Sequence, residues 1–263
     1  MKYLILALLL LNCCSDQSTE HMVMHASVTT PPDSLGLPPF YSKYIDAKGI
    51  PVISSRRVPD KALHKACETV ITLMSGLPSN VADTIVSRGV RVAVLARYEG
   101  TTDIPEYTFL KNDTTVNWDV RARGLGGVPE LPLTSCAEEN LLCYQIDKYH
   151  AEDILIHEFA HTIHLVGFVL NDPDFNAKLQ GLLDDARNKG KWADTYAVTN
   201  LEEYWAEGVQ SWFNVNADVP EPDGKHNHVN TRRELKKYDR PLHDFISSYF
   251  VTTVPDCSCH AAR

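Results

Sequence analysis

His157-Glu158-Phe159-Ala160-His161 is the stretch of this chain best suited to chemistry. Two histidines four residues apart on a helix lie one turn above each other and can grip one metal ion, zinc above all. The glutamate between them stands where a base would act on a bound water. The flanks suit a helix: Ile154, Leu155, Ala160 and Ile163 supply apolar positions, Glu152 and Asp153 put negative charge in the first turn, and Gly167 is the expected stop. His164 shares the helical phase but is seven residues from His157, roughly 10 Å along the axis, whereas zinc–nitrogen bonds are about 2.0–2.1 Å long. A third ligand must therefore come from elsewhere.

The metzincin continuation does not supply it, because His164 and Gly167 stand where that pattern requires Gly and His. A better donor lies in Tyr196-Ala-Val-Thr-Asn-Leu-Glu202-Glu203-Tyr204-Trp205-Ala206-Glu207. Asn200 caps this segment as a helix, and Tyr204, Val209, Trp212 and Phe213 give it bulk to bury. Glu203 and Glu207 fall on one face, one turn apart, so that one can bind the metal while the other steadies a ligating histidine.

With these residues in place the chain resembles the lethal-factor-like zinc metallopeptidases, which include the anthrax lethal factor catalytic domain and the secreted Pro-Pro endopeptidases. The resemblance spans about residues 150–213 and implies a zincin-like, gluzincin-type domain. It assigns His157, His161 and Glu203 as zinc ligands, Glu207 as the following acid and Tyr196 as a catalytic tyrosine seven residues before Glu203. Three further stretches, Arg123-Gly-Leu-Gly-Gly127, residues 134–143 and residues 226–232, look like a set of uncharacterised secreted proteins, a likeness that implies no chemistry.

Length and composition set the frame for this site. At 263 residues and 44% hydrophobic, the chain can form one substantial domain, here expected as 46–263. A formal charge of -9 argues against nucleic acid as a partner and weakly favours basic substrates. Residues 1–15 follow Lys2 with an apolar run too short to span a bilayer. They predict a cleaved signal peptide, hence a secreted protein without stable membrane insertion; lipid attachment at Cys13 or Cys14 is the alternative. Residues 16–45, rich in Pro, Thr and Ser, predict a tether, an arm or a propeptide.

In an oxidising compartment Cys136 and Cys143 are expected to close a short loop, with Cys67 reaching Cys257 or Cys259. A second metal site is the competing reading of these cysteines, although their spacing forms no zinc finger. The pattern predicts helices over 60–74, 80–88, 172–189, 231–238 and 241–250, and a buried strand over 90–96. That order gives an α+β fold, with a small sheet packed on the active-site helix and a helical C-terminal lobe. Residues 98–150 carry no clear period. Their glycines at 124, 126 and 127 either form a plain turn or let backbone approach a substrate.

The expected reaction is hydrolysis of a peptide or protein substrate. Zinc would lower the pKa of a bound water toward about 7, Glu158 would take its proton, and Tyr196 would donate to the developing oxyanion. His226 and His228 lie in a loop that would flank an acidic cleft, and His228 is the second candidate for a transition-state contact. The rival is a zinc-containing binding or toxin-like module without peptidase activity. Zinc stoichiometry followed by a cleavage assay separates the two.

Overall fold

A four-stranded sheet carries one side of the molecule, in a computed structural model that describes residues 27–250 and 259–260. The expected leader at 1–15, the start of the arm at 16–26 and Cys257 lie outside the described residues. β1 (Lys43–Ala47) turns into antiparallel β2 (Ile50–Ser54) through Lys48 and Gly49, at φ 55° and 88°. Positive φ at both central positions is the signature of a type I′ hairpin turn, and glycine adopts it without steric cost.

The chain leaves the sheet through α1 (Asp60–Ser75) and α2 (Ser79–Ser87) and returns parallel to β2 as β3 (Arg91–Leu95). An irregular passage containing the single turn α3 (Trp118–Arg121) then leads to β4 (Leu133–Ala137), parallel to β3. The order is β1-β2-β3-β4. Alternate residues of the parallel strands enter different cores. Val52, Val92 and Val94 pack with the helices, while Ile53, Ala93 and Leu95 meet Tyr41, Ile104 and Tyr107. Strands covered on both faces read as continuous apolar runs, as 90–96 does.

The arm expected at 16–45 is part of this fold from Thr29 onward. Thr29 and Tyr44 exchange backbone hydrogen bonds of 2.9 and 2.8 Å, Tyr41 is buried against the second core, and Lys43 opens β1. Its prolines and serines conceal the few aromatic residues that anchor it.

After α4 (Glu138–Leu141), α5 begins at Ile154, capped by the Asp153 carboxylate on the Ile156 N–H at 3.1 Å. Gly167 does not stop this helix. The chain runs on from α5 (Ile154–Thr162) through a π-helical stretch (Ile163–Phe168) into α6 (Val169–Asn171). Gly167 serves packing instead, since a Cβ there would sit 3.0 Å from Val81 and Ile85 on α2. By length and composition Ile154–Asn171 could cross a membrane, but 61% of it is buried within the fold as a core helix.

The C-terminal lobe comprises α7 (Phe175–Asn188), α8 (Leu201–Trp212), α9 (Arg232–Tyr238) and α10 (Arg240–Ser247). The buried Trp205 indole on α8 donates to the Ala160 carbonyl of α5 at 3.0 Å, which fixes the two helices against each other.

The cysteine pairing differs from the expectation. Cys143 is bonded to Cys259, with Cα atoms 6.3 Å apart, whereas Cys67 and Cys136 are free and buried. Cys136 points from β4 into the main core, and the Cys67 thiol faces the Asp46 carbonyl at 3.4 Å. Burial pushes both thiols up, Cys67 to about 11.

Candidate metal centre

Helical phase brings His157 and His161 of α5 to one side, and α8 crosses there with Glu203, whose N–H is capped by the Asn200 side chain at 2.8 Å. The three donor groups converge. His157 Nε2 and His161 Nε2 are 3.1 Å apart, and the same Glu203 oxygen lies 3.2 Å from the first and 3.8 Å from the second. Ligands at 2.0–2.1 Å around a tetrahedral ion stand roughly 3.3–3.4 Å from one another, so this triangle fits zinc. Two imidazoles and one carboxylate suit zinc better than calcium or magnesium, which prefer oxygen alone.

Electrostatics also call for a cation here. Burial disfavours the charged form of His157, yet its contact with Glu203 and the carboxylates of Glu158, Glu203 and Glu207 raise its pKa well above the usual histidine value. Burial and the neighbouring His157 charge hold His161 down at about 3. Two imidazole nitrogens 3.1 Å apart, with one Glu203 oxygen beside both, leave a place that a cation would neutralise.

The tautomer of His157 follows from its neighbours. Gln210 on α8 donates from Nε2 to Glu152 Oε2 and to the Asp153 carbonyl, both at 3.2 Å, which turns its own amide oxygen toward His157 Nδ1 at 2.8 Å. His157 therefore donates from Nδ1 and keeps its Nε2 lone pair for the site. This role was expected of Glu207. The Glu207 carboxylate stays 3.9 Å from Nδ1 and instead accepts from Asn216 Nδ2 at 2.8 Å, and burial pushes its pKa up to about 7. Gln210 stands seven residues after Glu203, on the same face of α8, so helical phase carried the signal.

Glu158 faces the cleft, and burial pushes its carboxyl up to about 7 while the His157 charge pulls the other way. The glycine-rich segment approaches α5 closely. A Cβ on Gly124 would meet Ile154 at 2.6 Å and Glu158 Cγ at 2.9 Å, and one on Gly126 would meet His161 Cβ at 2.6 Å. That closeness lets the Gly126 N–H reach the Glu158 carboxylate and the Gly127 N–H donate to Thr162 at 2.7 Å.

The cleft encloses about 280 Å³. Tyr196 lines its other side, at the start of the 3-10 turn Tyr196–Val198, with its N–H bound to the Lys225 carbonyl at 2.8 Å and its hydroxyl accepting from Arg121 Nη2 at 3.1 Å. His228 is not in the cleft. An Asx turn in which Asn227 accepts from the Val229 N–H at 2.8 Å leaves His228 exposed, edge-on to Tyr238. His226 lines the cleft in its place, with Nε2 3.4 Å from Glu152. His164, set aside on geometric grounds, is buried and paired with Asn176 at 2.7 Å.

Of the three stretches without assigned chemistry, two supply Arg123, Gly124, Leu125 and His226 to the cleft lining. Arg123 is buried, bridges Glu139 with Nε at 2.5 Å and Nη2 at 3.1 Å, and reaches the carbonyls of Ala96 and Glu99. Asn140 donates to Asp147 and to the Glu152 carbonyl and accepts from the Ile154 N–H, so it sets the entry to α5. Thr231 and Glu234 form a capping box that starts α9.

No family model matches this chain, and no curated protein matches it. Among solved structures it is similar to the Pro-Pro endopeptidase PPEP-2 from Paenibacillus alvei, at 19% sequence identity and a TM-score of 0.48, over 71% of this chain and 91% of that one.

Proposed function

We propose that this protein is a secreted zinc-dependent endopeptidase with a zincin-like, gluzincin-type catalytic domain. The observation that carries this reading is the convergence of His157, His161 and Glu203 beside Glu158 in an open cleft, with the Tyr196 hydroxyl on the same cleft. Bound by those three residues, zinc would supply a Lewis acid for a water and for the scissile carbonyl. Glu158 accepts the proton of the attacking water and passes it to the leaving amine. Burial raises the Glu158 carboxyl above the usual glutamate value, which favours its passing the proton on. Gln210 holds the His157 ring in its ligating tautomer. Tyr196 donates a hydrogen bond to the tetrahedral oxygen, because Arg121 occupies a lone pair of the hydroxyl and leaves the O–H free.

Secretion is supported by the apolar run at 3–11 and by the Cys143–Cys259 bond, which suits an oxidising compartment. The test is metal analysis of the purified protein followed by cleavage of a peptide library with and without chelator. One zinc per chain and hydrolysis abolished by the chelator are the expected result. Zinc without hydrolysis of any library member would leave the binding-module reading standing.

A further inference from the structure

The chain as a whole is acidic, with a formal charge of -9, and the cleft holds Glu152, Glu158, Glu203 and Glu207, yet its Tyr196 side carries Arg121 and Lys225. Arg121 donates to the Tyr196 hydroxyl at 3.1 Å, and the Lys225 backbone carbonyl accepts from the Tyr196 N–H at 2.8 Å, so both residues flank the same tyrosine and both line the cleft. Lys148 joins them from the loop before α5. Its ammonium donates to the Val120 carbonyl, and the adjacent Tyr149 hydroxyl donates to the Arg121 carbonyl at 3.0 Å.

Burial and the charges of Arg123, Arg121 and Lys225 hold the Lys148 pKa below the usual lysine value. Arg123 is matched by Glu139, but among the described residues Arg121, Lys148 and Lys225 form no ion pair with a carboxylate. Arg121 and Lys225 line the cleft, while exposed Lys148 stands close enough to feel both charges; like charges so placed repel one another, and although Glu203 across the cleft offsets part of the Arg121 charge, a bound anion would relieve the rest. Arg121 spends one N–H on Tyr196 and has others in its planar fork to offer a carboxylate.

We propose that this wall is a subsite for a peptide carboxylate next to the scissile bond, so that the substrates are peptides with Asp or Glu, or a chain end, on the Tyr196 side. The proposal rests on the peptidase reading and deepens it by naming the substrate class. It also reverses the expectation from net charge: the overall excess of acid lies outside this wall, and the wall selects against basic residues.

The experiment uses the zinc-loaded Glu158→Gln protein, so that binding is read without turnover. Fluorescent peptide pools carry Glu, Gln or Lys at one fixed position in otherwise random, C-terminally amidated sequence, and a further Gln pool keeps a free C-terminal carboxylate. Dissociation constants are measured by anisotropy at low and high salt. The Glu pools should bind about 3–10-fold tighter than the Gln pools, with the preference shrinking at high salt. A gain for the free-acid pool alone would place the chain end, rather than an acidic side chain, on this wall.

Lys148→Glu/Lys225→Glu, at two exposed positions, should shift the preference to the Lys pools, and Lys148→Ala/Lys225→Ala should abolish the preference for Glu. Equal binding of the Glu, Gln and free-acid pools, tightest binding of the Lys pools to the parent protein, or no binding of any pool overturns the proposal. Wild-type hydrolysis of the same pools separates the two readings. Cleavage without a carboxylate preference leaves the peptidase and removes the subsite, whereas carboxylate-selective binding without cleavage removes the peptidase and keeps an anion site.

Discussion

The two sides of the cleft are built by different means. The side that carries His157, His161 and Glu203 is made of two regular helices, α5 and α8, whose backbone hydrogen bonds are internal and whose functional side chains recur at helical spacing. The other side, from Arg97 to Asp153, contains only short helical turns and β4. It is held by buried side chains that bond to distant backbone, Arg123 to Ala96 and Glu99 and Asn140 to Glu152 and Ile154, and by the exposed Asp119 bonding to Thr102. A periodic frame tolerates exchange at its exposed positions. An irregular frame depends on each polar tie, because a buried group that loses its partner pays the full desolvation penalty.

The sharpest test of the periodic side is Glu158→Gln, which keeps the approximate shape while removing the proton-accepting carboxylate. Zinc content should be unchanged, and hydrolysis should fall about 10²–10⁴-fold. Turnover near wild type with zinc retained would remove Glu158 as the base. Tyr196→Phe tests the junction of the two sides. It should leave fold and zinc intact and lower kcat about 10²–10³-fold with little change in KM. Unchanged kinetics would return Tyr196 to a packing role.

On the irregular side the expected loss is one of stability. Arg123→Met leaves the buried Glu139 carboxylate without its partner and frees two backbone carbonyls, at a cost of about 3–5 kcal/mol by the measure of broken buried pairs. Chemical denaturation should register it. A loss below about 1 kcal/mol would mean that the irregular wall does not hang on this residue.

This contrast explains what was legible in the sequence. His157, His161 and the pair Glu203 and Glu207 stand at helical spacing, so their common face could be read from the chain, as could most of the helices and the apolar strand β3. Phase alone left Gln210 unnoticed, because glutamine at i+7 resembles a solvated position until Glu152 and the Asp153 carbonyl are seen to orient its amide. Residues 98–150 offered no period because they are placed by side-chain-to-backbone bonds between points far apart in the chain. The Cys143–Cys259 pairing was hidden for the same reason, since bond formation follows proximity in the fold.

Gln210→Leu gives a smaller and more specific effect than the losses above. Removing the acceptor at His157 Nδ1 frees the ring to rotate and change tautomer, and zinc affinity should fall about 10–100-fold. Glu207→Gln should change it less, because Glu207 stands 3.9 Å from that nitrogen. Competition with a chelator of known affinity measures both. The reverse ranking would restore Glu207 as the residue that steadies His157.

The smallest effect lies where the two sides meet, in the contact between His226 and Glu152. Burial opposes the charged imidazole, but the Glu152 contact and the charges of Glu207, Glu152 and Asp223 outweigh it and raise the His226 pKa. Glu152 is shifted down: burial opposes its charge, and the His226 contact, the His226 and His157 charges and the Gln210 hydrogen bond prevail. A raised histidine stabilises the fold fully below its unfolded pKa of about 6.5, and that contribution is lost as pH rises through the folded value. A lowered glutamate stabilises above about 4.3, and its contribution is lost as pH falls through the folded value. The pair therefore contributes most between about pH 4.3 and 6.5. His226→Gln should lower Tm by roughly 2–4 °C at about pH 5.5, the shift expected for about 1 kcal/mol in a domain of this size, and by less at about pH 9. An equal loss at both pH values, or a larger one in alkali, would mean that His226 supports the cleft through packing and that its charge contributes nothing to holding the two sides together.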